Sequence, residues 1–293
     1  MKVKLKERVK NMDKKKLSQE IKQGKWNSIL SASAVNILES MQETEIKKAL
    51  DEITEVPINY AREISGELYR LYFTAAWVEV FKNLDKKDKD LDILEIASGQ
   101  SDPVPQGLEI YSEGKGSYTT ANLNKALTRG LLSKTEALKI EVRVIEDNAI
   151  NLENYFDDNN FDLTAFQHAI NDMIQTIIAQ EMDLDTINND WFDILPEMVQ
   201  GVTKHYQEGT LREVAYEDFI KQIQVCTNLL KKGGILAFNT HVFQMDLDCG
   251  YPLELYSNFV EIARVWISTS DLELQEVNIE GFDKKWWLFL KKV

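Results

Sequence analysis

Cysteine is nearly missing from this chain of 293 residues, with only Cys226 and Cys249 present. They lie far apart and without metal-ligand spacing, which argues against a structural metal cluster and suits a reducing cytoplasm. Histidine is almost as scarce, at three residues. No apolar run approaches the length needed to cross a bilayer. The basic start leads into Asp13-Lys14-Lys15-Lys16 and not into an apolar stretch, so no signal peptide is expected. Positive charge is in deficit: 34 Lys and Arg stand against 48 Asp and Glu, a net charge of −14. That balance argues against a general nucleic-acid binder, whose affinity rests on neutralising phosphates. The expectation is a soluble cytoplasmic protein with neither a nucleic-acid nor a membrane partner. One local exception is Met1–Lys25, where ten basic residues face three acidic ones. It reads first as a solvated terminal arm and second as a recruiting tail.

The chain that remains has 44% hydrophobic residues, enough to bury a full core. It is organised around Leu91–Gly107, LDILEIASGQSDPVPQG. Leu91, Ile93, Leu94 and Ile96 form a short β-branched run that predicts a buried strand. The turn Ser98-Gly99-Gln100-Ser101-Asp102-Pro103 then delivers the chain into a helix from about Val104. Strand, Gly-containing turn and helix make the opening unit of a doubly wound sheet, where ligands bind beyond the carboxyl ends of the strands. Gly99 suits such a place, because a missing Cβ lets the backbone turn sharply and approach a ligand.

Before that unit, Trp26–Leu84 has helical periodicity in three segments. The third, Asn59–Leu84, is apolar nearly all round and aromatic, so it should be buried. Its aromatic stripe reads first as core and second as a lid over a ligand crevice. After the unit, strands are predicted at Ser117–Ala121, Ile140–Ile145, Phe161–Phe166 and Ile235–Asn239, each separated by a helix. Helices are expected over Asp172–Met182, Tyr216–Leu230 and Leu253–Ile267. Asp183–Glu217 is polar, holds Pro196, Gly201 and Gly209, and reads as a helical insertion. Lys231-Lys232-Gly233-Gly234 looks like a helix C-cap with cations in the last turn. Leu272–Ile279 and Trp286–Leu290 should close the sheet as an antiparallel pair. The fold class expected is α/β: a doubly wound, mostly parallel seven-stranded sheet with a reversed last strand and an N-terminal helical cap. Residues 1–88 would form the cap with its basic arm, and 89–293 the ligand-binding domain, carrying the insertion 183–217.

With that order on the page, the chain resembles a class I S-adenosylmethionine-dependent methyltransferase over roughly Leu91–Val293. The first motif of that family, an acidic residue before a Gly-rich turn, stands here as Glu95-Ile96-Ala97-Ser98-Gly99-Gln100-Ser101. Ala97 and Ser101 hold positions usually occupied by Gly. Where the family places an acidic residue for the ribose hydroxyls, this chain has Asn122, followed by Leu123. Val144-Ile145-Glu146-Asp147-Asn148 resembles the adenine-binding segment, which implies Asp147 as acceptor of the amino group and the Asn148 amide facing the ring. The Lys231–Leu236 turn and the closing Trp286–Lys291 strand also match. The rival, a nicotinamide dehydrogenase, is disfavoured because the turn lacks the full G-x-G-x-x-G fingerprint.

The resemblance implies S-adenosylmethionine as cofactor and methyl transfer to an O or N nucleophile of a small molecule. It places the cofactor against Glu95, Ala97, Ser98, Gly99, Asn122, Leu123, Asp147, Asn148 and Gln167. Two of the three histidines follow strands four and five: His168 in Phe166-Gln167-His168-Ala169, and His241 in Asn239-Thr240-His241. A near-neutral intrinsic pKa makes each a candidate base, with a pocket-wall role as the plainer alternative. The Asn/Asp-Pro-Pro-Tyr pattern of amide and nucleobase methylators is missing. No i, i+4 pair or carboxylate cluster supports a metal site, so none is expected. Tyr60, Arg62, Tyr69 and Arg70 are candidates to face the cofactor carboxylate, and Trp191, Phe192, His205 and Tyr206 offer stacking surfaces. Two other functions remain open: methyl transfer to a peptide or protein, and a non-catalytic S-adenosylmethionine-binding partner protein.

Overall fold

A computed structural model describes residues 13–61, 64–84, 86 and 88–293. The first twelve residues of the basic arm, and Arg62 with them, fall outside the described residues.

Four helices come first: α1 (Lys14–Lys22), α2 (Ala32–Ser40), α3 (Glu43–Glu55) and α4 (Ser65–Lys82). Their starts follow local chemistry. Ser31 accepts from the Ala34 amide at the head of α2, and at α3 the Glu45 carboxylate reaches back to the Gln42 amide at 2.6 Å. In α4 the apolar positions run nearly all round, and Leu71, Trp77, Val80 and Phe81 are fully buried. Each such side chain contributes about 2–3 kcal/mol on leaving water.

The sheet and its crossovers follow: β1 (Asp92–Ile96), α5 (Pro103–Ser112), β2 (Ser117–Ala121), α6 (Lys125–Thr135), β3 (Glu141–Ile145), β4 (Phe161–Gln167), α7 (Ile170–Glu181), α8 (Trp191–Glu208), α9 (Leu211–Leu229) and β5 (Leu230–Asn239). Three helices, α10 (Gln244–Asp248), α11 (Leu253–Tyr256) and α12 (Phe259–Ser268), lead to β6 (Leu274–Val277) and β7 (Trp287–Lys292). The strand order is β3-β2-β1-β4-β5-β7-β6. Strands β1 to β5 pair in parallel, while β7 runs antiparallel to both β5 and β6. The direction of winding reverses between β1 and β4, which is where a doubly wound sheet opens a ligand crevice.

Alternation along β1 divides the molecule. Ile93 faces a core shared with α1, α3, α4 and α5, whereas Leu94 and Ile96 face α7, α8, α9 and α12. Helices α1–α4 are therefore one continuous layer with the sheet. α4 lies close on α5 because Gly107 carries no side chain: a Cβ there would stand 3.0 Å from the Trp77 Cβ.

Three local expectations are corrected. The helix expected over Leu253–Ile267 is two, α11 and α12, separated at Ser257 and Asn258. α9 begins at Leu211, not near Tyr216, after the Gly209 break that ends α8. Lys231–Gly234 does not cap a helix; it belongs to β5, and the Lys231 ammonium pairs with Asp92 at 2.7 Å and Asp162 at 3.1 Å.

Candidate active site

At the end of β1 the chain enters the left-handed region twice, at Ala97 (φ 53°) and Gly99 (φ 57°). A left-handed Ala is strained, so surrounding bonds must hold it. The Ala97 amide donates to the Ala121 carbonyl at 3.0 Å. Asn122 grips Gly99 from both sides: its Oδ1 accepts from the Gly99 amide at 3.1 Å, and its Nδ2 donates to the Gly99 carbonyl at 2.8 Å. Nδ2 also donates to Thr128 Oγ1 at 3.0 Å. Behind the turn, the Thr120 hydroxyl donates to Ser98 at 3.0 Å. Glu95 is fully buried and accepts from the Tyr118 hydroxyl, with its Oε1 unpartnered. Burial pushes its carboxyl up to about 8, against the pull of that hydrogen bond.

On one side of the turn is a slot of about 60 Å³ lined by Asn122, Leu123, Asp147, Asn148, Gln180 and Trp191, among others. That volume holds a few water molecules at most. The Asp147 carboxylate accepts from the Asn148 backbone amide (2.7 Å), Asn151 (2.8 Å) and Tyr155 (2.9 Å). The Asn151 amide leads these three in holding its pKa below the usual carboxylate range. Gln180 of α7 and Trp191 at the start of α8 line the slot, and the segment joining the two helices is anchored beside it. There Asn124, which also caps α6, donates to the Thr186 and Asn189 carbonyls at 3.0 and 2.9 Å.

On the other side is a chamber of about 830 Å³, reaching from Ala97–Pro103 across α4 to His168, Phe243 and Asp246. Ala97, Gly99, Leu127, Asp172 and Trp191 line both cavities, so the two adjoin. Gln167 is fixed in the chamber wall: its Oε1 accepts from Trp77 Nε1 (2.6 Å) and Asn239 (2.8 Å), and its Nε2 donates to the Tyr69 hydroxyl (2.9 Å).

Both ring nitrogens of His168 are engaged. The His241 backbone N–H donates to Nδ1 at 3.3 Å, so the neutral ring carries its proton on Nε2. Nε2 then donates to the Tyr256 hydroxyl at 3.0 Å, which donates to Asp246 Oδ2 at 2.5 Å. Burial, aided by the nearby His241, pushes the His168 pKa down to about 3. Its left-handed backbone (φ 57°) is held by the Asn239 carbonyl at 3.0 Å and the Asn239 side chain at 3.2 Å. His168 as placed is an oriented wall residue with no free lone pair for a substrate proton.

The chamber wall carries four carboxylates, Glu67, Asp102, Asp172 and Asp246, and two cations, Arg70 and Lys134. Arg70 is consumed: it clamps the buried Asp102 through Nε at 2.8 Å and Nη2 at 2.5 Å, and also donates to the Ile29 carbonyl. Lys134 donates to the Gln100 carbonyl at 2.7 Å. Desolvation raises Asp172 well above the carboxylate range and brings Asp246 up to about 6. Asn171 Oδ1 and Glu67 Oε2 are buried acceptors without a hydrogen-bond partner.

The structure thus brings Ala97, Ser98, Gly99, Gln167 and His168 to the chamber, and Asn122, Leu123, Asp147 and Asn148 to the slot. Glu95 lines neither. His241 is 3% exposed, packs against Phe73 and Trp286, and lines no described cavity. Burial pushes its pKa down to about 4. Of the stacking candidates, Trp191 and Phe192 line the chamber, whereas His205 and Tyr206 do not. Sequence reasoning missed Asp246 and Tyr256 altogether, and named Asp172 only as a helix start. The local signal was slight: Asp246 stands in a stretch assigned to no element, and Tyr256 falls inside the helix expected over Leu253–Ile267. Among the described residues no cluster of His, Cys, Asp or Glu has metal-binding geometry, and no helix is long and apolar enough to cross a membrane.

The mostly parallel seven-stranded sheet with its reversed β7 is the α/β architecture expected from the sequence. Comparison with family models and with curated proteins finds no match. Among solved structures, a SAM-dependent methyltransferase from Aquifex aeolicus has a TM-score of 0.44 and 11% identity, over 74% of this chain and 89% of that one. An S-adenosyl-L-methionine-dependent methyltransferase from Methanococcus maripaludis, itself so described provisionally, gives 0.44 and 11%, over 75% and 86%. A protein described in the same provisional way as an rRNA-methylase, from Clostridium thermocellum, gives 0.43 and 12%, over 75% and 96%. These are partial likenesses, over about three quarters of this chain.

Proposed function

We propose that this chain is an S-adenosylmethionine-dependent methyltransferase acting on an O or N nucleophile of a small molecule. The observation that carries this reading is the chamber itself. It adjoins the slot at the switch point of the sheet, bounded by the left-handed Ala97–Gly99 turn on one side and Asp246 on the other. The residues present fit such a cofactor. Asp172 lines both cavities and offers a carboxyl to the amino-acid ammonium of such a cofactor. Asp147 uses three of its roughly four acceptor sites, leaving one for an exocyclic amine. Accepting a nucleoside in the slot requires the Trp191 end of α8 to move outward.

When bound, the cofactor supplies a methyl group on a sulfonium, ready for in-line displacement. The chain supplies position and a proton acceptor. Gln167, clamped by Trp77, Asn239 and Tyr69, fixes the wall beside the reacting atoms, and such positioning supplies several kcal/mol. Asp246 is the general base: its Oδ2 is oriented by Tyr256 and His168, and its Oδ1 carries no hydrogen bond among the described residues. A chamber of about 830 Å³ is of a size for a small acceptor beside the cofactor, and the net charge of −14 disfavours RNA.

The non-catalytic reading has one observation in its favour, since Asn122 and Asp147 spend most of their polar groups on the protein itself. Calorimetric titration of S-adenosylmethionine and S-adenosylhomocysteine, alongside Asp147→Ala, decides the matter. Micromolar binding, weakened at least about tenfold by the substitution, supports the proposal. Absence of binding by both nucleosides removes it.

A further inference from the structure

The chamber asks for donors. Among its described lining groups, the buried side-chain atoms left without partners are two acceptors, Asn171 Oδ1 and Glu67 Oε2, and Asp246 Oδ1 also makes no hydrogen bond to a described residue. Its two cations are already engaged, Arg70 by Asp102 and Lys134 by the Gln100 carbonyl. The cofactor brings an ammonium and a sulfonium but also a carboxylate, and its single ammonium supplies donors to only part of the chamber. Asp172, which lines both cavities, is the acid placed to meet it. Asp246 and Glu67 line the chamber alone and are left for the second substrate.

Around Asp246 the walls are aromatic. Tyr60 stacks on Phe243 at 5.6 Å, Tyr69 meets Phe243 edge-on at 5.2 Å, and Tyr60 meets Tyr69 edge-on at 6.3 Å. Rings beside carboxylates attract a cation through both charge and quadrupole, whereas a neutral hydroxyl gains only a hydrogen bond to the carboxylate.

We infer that the methyl acceptor is a small amine, bound as its ammonium ion against Asp246, Glu67 and Asn171 within the rings of Tyr60, Tyr69 and Phe243. This rests on the methyltransferase reading and narrows it from O or N to N. The ammonium proton passes to Asp246 Oδ1. The freed nitrogen lone pair then forms the N–C bond to the methyl carbon, and the C–S pair stays on sulfur. The products are a methylated ammonium, a neutral thioether and a protonated Asp246, so charge and atoms balance. Burial that lifts Asp246 to about 6 makes it a stronger base than an exposed carboxylate.

The test is a binding experiment on the whole protein, with and without saturating S-adenosylhomocysteine. 2-Phenylethylamine and n-butylamine are titrated against 2-phenylethanol and n-butanol by calorimetry. A charge-assisted contact predicts that each amine binds at least about tenfold more tightly than its alcohol. Asp246→Asn should bring the two within about twofold, and Glu67→Gln should narrow the gap by a smaller factor. If Asp246→Asn does not fold, the Glu67→Gln ratio decides. Alcohols that bind as well as amines, amines that fail to bind at millimolar concentration, or a gap unchanged in both variants would each overturn the inference. Failure of S-adenosylhomocysteine to bind is a separate result: it removes the methyltransferase reading, while the amine preference is still read on the protein alone.

Discussion

At the scale of single residues, the sequence located side chains and could not say what they touch. His168 was expected as a base because it follows β4, and it does line the chamber. Its ring is nonetheless held at Nδ1 by the amide of residue 241 and at Nε2 by Tyr256, which lies 88 positions away. No spacing rule carries contacts of that range. The role we propose for it is to orient Tyr256 and through it Asp246. Asp246→Asn is therefore expected to lower kcat by about 10²–10⁴ at unchanged cofactor affinity. His168→Gln should cost about tenfold or less, because a positioning group is only partly replaced. Steady-state kinetics with cofactor titration separates the two, and equal losses would return the base role to His168. Glu95 offers a pH test at the same scale. Its folded pKa, raised to about 8 by burial, exceeds the ordinary value of 4.5. Below the lower value both folded and unfolded chains hold the proton, and the contribution to stability is complete. As pH rises the unfolded chain releases it first, so stability falls until the folded protein releases it near 8. The slope cannot exceed about 1.4 kcal/mol per pH unit. Glu95→Gln has no proton to lose, so its stability relative to the parent chain should climb between pH 5 and 8 in urea denaturation.

Among elements, strand interiors were legible and helix ends were not. β2 was expected at Ser117–Ala121 and lies there, because a compact β-branched run between turn residues has few alternatives. α9 starts earlier than expected because its extra turns bury only Leu211 and Ala215, too little for an apolar stripe to show. The Lys231 segment was misread since its partners, Asp92 and Asp162, stand 139 and 69 residues away. The turn into β2 shows the opposite case, where one residue type is demanded by the backbone alone. Gly116 has φ +84°, and a Cβ there would lie 2.5 Å from the Leu91 carbonyl oxygen, at the mouth of β1. The neighbour is backbone already committed to the Ser117 amide at 2.9 Å, so it has no room to yield. Gly116→Ala should destabilise the protein by about 2–3 kcal/mol, seen as a lower urea midpoint at unchanged slope. A midpoint within error of the parent chain would show that this turn relaxes freely.

For the molecule as a whole, the question is whether the N-terminal helices are an appendage. The sequence suggested a cap ending near residue 88, because the helical pattern stops there and a strand begins. In the structure the layer has no core of its own. Leu68, Trp77 and Phe81 of α4 share one apolar cluster with Ile93 of β1, Val104 and Leu108 of α5, Tyr118 of β2 and Leu163 of β4. Polar contacts cross the same boundary: Trp77 and Tyr69 hold Gln167 at the end of β4, and Arg70 neutralises the buried Asp102. A chain beginning at Asp90 would expose that whole sheet face and leave Asp102 as an unpaired buried charge, a loss on the order of 3–5 kcal/mol by itself. Typical domain stabilities of about 5–15 kcal/mol do not survive such a loss together with the apolar face. The shortened chain is expected to show no cooperative urea transition, and to bind a hydrophobic dye in the manner of a loosened core. The full chain should unfold in one transition, with tryptophan fluorescence and far-ultraviolet dichroism coinciding. Two separated transitions in the full chain, or a cooperative one in the shortened chain, would mean that the helices can leave the sheet. The chamber wall they provide would then be a movable lid, and cofactor entry would proceed by lifting α4 instead of by shifting the Trp191 end of α8.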